Sequence, residues 1–110
     1  MKKLFIAAFM LVSSFGTNVM ADGHAIKMGI ILGFTGPIES LTPAMAGSAE
    51  LAFKEASDSG SLLGGKKIEV VRADSTCVDS AAATAAAEGV ISQGVAAIMG
   101  ADCSGVTGAI

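Results

Sequence analysis

Residues 22–110 predict an α/β fold, a three-layer doubly wound parallel sheet that is incomplete. Three observations carry this. Apolar or alternating runs of strand length at 26–32, 67–74 and 95–99 are separated by helix-length segments at 42–58 and 80–93. Strands that alternate with helices lie parallel and are joined by right-handed crossovers. The first and third runs are almost wholly apolar, which suits a sheet covered on both faces.

The amino end has a different character. Met1-Lys2-Lys3 is a basic start, residues 4–12 are apolar, and Val19-Met20-Ala21 is a small-residue cleavage site. This is the pattern of a secretory signal peptide, residues 1–21. The apolar run falls short of the roughly 20 residues that span a bilayer. An uncleaved anchor is the alternative, and the cleavage site argues against it. No cysteine follows the site, so a lipid anchor is not expected. Removal of residues 1–21 leaves five basic and ten acidic residues, a net charge of −5. Such a charge argues against nucleic acid and anionic membrane as partners.

His24 is the single histidine and stands near the new terminus without a clustered ligand, so no metal site is expected. After the first strand comes a long loop, residues 33–41, holding Gly33, Gly36 and Pro37. Thr42 is the expected N-cap of the first helix and Pro43 its first helical residue. Met45, Ala49, Ala52 and Ala56, with Phe53 beside them, form the expected buried face, and Glu50, Lys54 and Glu55 the outer one. Ser59-Gly60 ends the helix, and Gly64-Gly65 marks a turn before the second strand. Asp79 is the expected N-cap of the alanine-rich second helix, and Gly94 its C-cap. The pattern stops at Ile110 within an expected third helix, so the chain is expected to be the first part of a longer lobe.

Two nucleotide motifs fail. Gly60-Ser61-Leu62-Leu63-Gly64-Gly65-Lys66 resembles a phosphate loop, but Lys67 follows where serine or threonine belongs, and a strand follows where a helix belongs. Gly33 and Gly36 are not part of a Gly-x-Gly-x-x-Gly pattern. Nor does a catalytic set stand out. Ser104 has no histidine to activate it, Cys103 has no visible base, and Asp74 and Asp102 read as solvated carboxylates at strand ends, a paired general acid and base being the unsupported alternative.

The informative stretch is Gly100-Ala101-Asp102-Cys103-Ser104-Gly105, a polar turn between a strand and a helix start. Free amides at a helix start favour an anion, and Ser104 is expected at or near the N-cap. The plainer alternative is that Ser104 only caps its helix. In a sheet of order 2-1-3 the ligand crevice lies between strands one and three, where residues 33–41 and 100–105 converge. Cys77 and Cys103, the only cysteines, fall in loops at that same edge. In an exported chain this suggests a disulfide, with two free thiols as the alternative. Strand one would lie between them, so the loops would have to fold over its end.

Taken together, residues 26–32, Thr35-Gly36-Pro37-Ile38, Ala49-Glu50-Leu51-Ala52, Leu63-Gly64-Gly65-Lys66-Lys67-Ile68 and residues 100–107 resemble the periplasmic substrate-binding proteins of branched-chain amino acid ABC transporters. The likeness covers residues 26–110. It implies the type I periplasmic binding fold, two lobes closing on an amino acid that is passed to a membrane permease. It implies a Cys77–Cys103 disulfide, and a role for Ser104, next to Cys103, in holding the ligand's α-carboxylate. Leu41 stands where an aromatic residue often contacts the ligand. The expected ligand-binding residues are thus Ser104, Cys103, Leu41 and Thr35. A periplasmic, non-enzymatic protein without metal or cofactor is expected. The alternatives are a ligand-sensing domain of the same fold and an exported α/β enzyme whose catalytic residues lie downstream.

Overall fold

A computed structural model describes residues 24–110, and the signal peptide expected at 1–21 lies outside the described residues. The elements are β1 (Ile26–Leu32), α1 (Thr42–Asp58), β2 (Ile68–Asp74), α2 (Ser80–Ser92), β3 (Ala97–Gly100) and α3 (Ser104–Thr107). A short 3-10 turn, Leu62–Gly64, lies between α1 and β2. The three strands form one parallel sheet in the order β2-β1-β3. The expected α/β topology and strand order are both present.

Strand β1 is central, and its side chains alternate between two cores. Ile30 and Leu32 pack with Ala46 on the α1 side, joined by Phe34, Ala49, Phe53, Val70 and Met99. Ile31 packs with Ala87 and Val90 on the α2 side. Ile30 and Ile31 are fully buried. Each contributes about 1.5–3 kcal/mol relative to an exposed side chain. Alanine faces on both helices let them approach the sheet closely.

Helix α1 departs from expectation in its rotation. Its inward positions are Thr42, Ala46, Ala49, Phe53 and Ser57, while Met45 and Ala52 are exposed. The cause lies at the two ends. Thr42 is not the N-cap, a position taken by Leu41. Instead Thr42 is buried and its hydroxyl donates to the Gly33 carbonyl at 3.1 Å. At the other end the buried Ser57 hydroxyl accepts the Ile68 N–H at 3.2 Å. Two polar side chains with backbone partners thus turn inward, and the helix follows them. Glu50, expected to face away, receives a two-pronged bond from Arg72 on β2, at 2.6 and 2.7 Å. The Arg72 guanidinium also lies over the Phe34 ring, 5.5 Å from its centre.

Helix α2 begins as expected. The Asp79 carboxylate accepts the Ala81 and Ala82 N–H groups at 2.9 and 3.0 Å. Its C-cap is Gln93 rather than Gly94, and Gly94 takes the left-handed position just beyond. Strand β3 starts two residues later than expected, at Ala97.

Candidate ligand-binding edge

Three loops meet at the carboxyl ends of the strands: residues 33–41 after β1, 75–79 after β2 and 101–103 after β3. Their convergence follows from the parallel sheet, which sends every strand out at the same edge. The β1–α1 loop is held at its root by Thr42 on Gly33. It is also held from both sides by carboxylates.

On the β3 side, both oxygens of Asp102 accept the Gly33 N–H, at 3.1 and 3.0 Å. On the β2 side, Asp74 accepts the Thr35 hydroxyl at 2.6 Å and the Thr35 N–H at 3.3 Å. Asp74 also accepts the Thr76 N–H at 2.8 Å, closing an Asx turn at the start of its own loop. Burial alone would raise the Asp74 pKa. Hydrogen bonds from Thr35, Thr76 and Phe34 outweigh it and hold the carboxyl below its ordinary range.

The loop after β2 solves the spacing problem set by the strand order. Thr76 and Cys77 both take left-handed backbone conformations, φ 58° and 71°. Such geometry costs roughly 1–2 kcal/mol per residue for side chains of this kind. The Asp74 bond to the Thr76 N–H and a 3.2 Å bond from the Asp79 N–H to the Thr76 hydroxyl offset part of that cost. The outcome is that Cys77 lies over Gly33, where a Cβ on Gly33 would be 3.1 Å from the Cys77 Cβ. Gly36 meets the same loop: its φ is +98°, and a Cβ there would come within 2.5 Å of the Thr76 carbonyl. The chain therefore folds over the end of β1 and brings Cys77 and Cys103 to disulfide distance, with Cα atoms 5.2 Å apart.

Cys103 is the N-cap of α3, and Ser104 is its first helical residue rather than its cap. Ser104 is exposed at this edge, and Val106 anchors the turn in the core. Thr107 fastens the turn from behind, its hydroxyl 2.8 Å from the Ala101 carbonyl and 2.9 Å from that of Cys103. Thr35 is exposed, and its hydroxyl proton is engaged by Asp74. Leu41 is 60% exposed at the N-cap of α1, an apolar side chain on the rim. Ser75, between β2 and the Thr76 turn, is fully buried, and its hydroxyl has no partner among the described residues. A surface concavity of about 450 Å³ lies elsewhere, between α1 and β2 beside Lys54, Asp58 and Lys67.

The sequence reads Asp74 and Asp102 chiefly as solvated carboxylates, whereas the structure makes both of them acceptors for the β1–α1 loop. The spacing of Asp74 and Thr76 is a local signal for an Asx turn. Asp102 carries none, because its partner lies 69 residues away. Residues 25–110 match the family model described as periplasmic binding protein. No curated protein matches the chain.

Proposed function

Because this chain belongs to the periplasmic binding protein family, we propose that it captures an amino acid, branched-chain or related, and delivers it to the permease of an ABC importer. Members of this family bind small solutes and are generally non-enzymatic. The solute's carboxylate is held by the Ser104 hydroxyl and neighbouring amides of the Cys103–Ser104 turn. Thr35 and Leu41 line the same edge, and a second lobe closes from the opposite side. The protein works in the periplasm after removal of residues 1–21, where the oxidising compartment maintains a Cys77–Cys103 bond.

The observation that carries this reading is the position of the Cys103–Ser104 turn. It lies at the carboxyl edge of β3, beside the loop that follows β1, where strand order reverses. Open α/β sheets bind ligands at such a point. The test is calorimetric titration of the full-length protein with leucine, isoleucine, valine and related amino acids. Ser104→Ala is expected to weaken binding by about ten- to a hundred-fold, the range of one hydrogen bond to a charged group. Undiminished affinity in that variant removes Ser104 from the site, and absence of binding to every solute tried removes the function.

A further inference from the structure

We propose that Asp74 and Asp102 are paired positioning residues that preset the β1–α1 loop before a solute arrives. The proposal rests on the solute-binding reading above and deepens it. Strand β1 lies between β2 and β3, so the loop leaving it has a neighbour on each side. Each neighbour supplies one carboxylate. Asp74, the last residue of β2, takes the hydroxyl and N–H of Thr35. Asp102, just beyond β3, takes the N–H of Gly33 with both oxygens. The loop is therefore fastened at two points, two residues apart, from opposite directions.

The placement is specific to the site. Asp102 directly precedes Cys103-Ser104, so its bond to Gly33 sets the separation between the β1–α1 loop and the turn that carries Ser104. Asp74 also holds the Thr76 N–H, and Thr76 leads into the left-handed Cys77. Both cysteines thus follow a residue or turn fixed by one of the two carboxylates. Without the carboxylates, residues 33–36 would lose these bonds at Gly33 and Thr35, and a solute would have to order the loop as it bound. Ordering a loop during binding reduces affinity, whereas a preset loop does not incur that loss.

Amide exchange followed by NMR on the ligand-free full chain tests the clamp directly. Asp102→Ala is expected to speed exchange at Gly33 by about ten-fold or more, and Asp74→Ala to do so at Thr35 and Thr76. The Ile31 amide, in the middle of the sheet, is expected to be unchanged in both. Asp102→Asn and Asp74→Asn retain one carbonyl acceptor, so they are expected to restore part of the protection and to fold if the alanine variants do not. Titration with L-leucine then reads the consequence: weaker binding in each alanine variant by about ten-fold, with partial rescue by asparagine. Unchanged Gly33 exchange in both Asp102 variants overturns the clamp. Faster exchange with unaltered leucine affinity overturns its positioning role. If the wild type binds neither leucine nor any other amino acid, the solute-binding reading falls, and the clamp is decided by the exchange data alone.

Discussion

The two ends of the sheet are built differently. At the carboxyl end, loops from separate strands are tied to one another by the Asp74 and Asp102 carboxylates and the Cys77–Cys103 pair, and the Thr42 hydroxyl closes the root of the β1–α1 loop. At the amino end, the connections enter the strands through main-chain bonds and, at the start of β2, through the Ser57 hydroxyl on the Ile68 N–H. Ile26 N–H donates to the Lys67 carbonyl and Ala96 N–H to the Lys27 carbonyl, both at 2.8 Å. Lysines supplement them: the half-buried Lys27 reaches the Gln93 carbonyl, and the exposed Lys54 and Lys67 lie beside Asp58. The amino-end turns need only reverse the chain. The carboxyl-end loops are in addition tied across strands, while left-handed backbone at non-glycine residues occurs at both ends, at Thr76 and Cys77 here and at Leu63 in the amino-end turn. This difference makes the carboxyl end the part of the molecule where single changes should matter most.

The comparison can be broken most forcefully by removing the cross-link. Replacing both Cys77 and Cys103 with serine is expected to lower unfolding free energy by about 3 kcal/mol, given the 26-residue separation. Chemical denaturation measures this directly. A loss near zero would mean that the carboxylates alone hold the edge together.

Glycine substitutions compare the two ends more closely. Gly36→Ala meets both a left-handed φ and the Thr76 carbonyl, and is expected to cost about 2–3 kcal/mol. Gly60→Ala at the amino end also has a positive φ, +67°, but nothing within 4 Å of the new methyl group. About 1 kcal/mol is expected there. Equal costs would remove the distinction between the two ends.

Acid should act on the carboxyl end through Asp74. Its folded pKa is lowered, so the unfolded chain binds the proton more readily. The stabilisation is complete above the ordinary carboxylate range and is lost as pH falls through the folded value, below about pH 4. Glu50, lowered by its hydrogen bond from Arg72, acts in the same sense on the α1 face. Denaturation midpoints across this range in wild type and Asp74→Asn isolate the contribution of Asp74, since the variant should show a shallower acid loss. At the amino end, Lys54→Ala removes a fully solvated partner of Asp58 and is expected to leave the midpoint unchanged.

Much of the architecture could be read from local pattern. The strand and helix succession and the Asp79 cap both follow from alternation and capping chemistry that act within a few residues, and the strand order 2-1-3 comes with the fold class they indicate. The rotation of α1 could not be read that way. It depends on Thr42 meeting the carbonyl of Gly33 and Ser57 meeting the N–H of Ile68, contacts that treat two polar residues as core. A search for apolar periodicity passes over both. The passage of Cys77 over β1 was a requirement without a visible means, because threonine and cysteine give no sign of left-handed backbone. The site residues divide similarly. Cys103 and Ser104 stand out through their turn, whereas Asp102 acquires its part only when Gly33 is brought to it.

The central position of β1 has a consequence for the order of assembly. It is the first strand of the sheet in sequence, yet it needs both neighbours: Ile26 pairs with Ile68, and Met28 with Ala97. The second pairing must wait for about 69 further residues, roughly 3–14 s of synthesis at ordinary elongation rates. During that interval Ile30, Ile31 and Leu32, the bulkiest fully buried side chains among the described residues, can pair with β2 on one side only, and the other edge of β1 stays open. A nascent chain of this design presents its central strand before either neighbour and completes that strand's pairing only when β3 arrives. Until then one edge of β1 presents unpaired backbone groups to other chains.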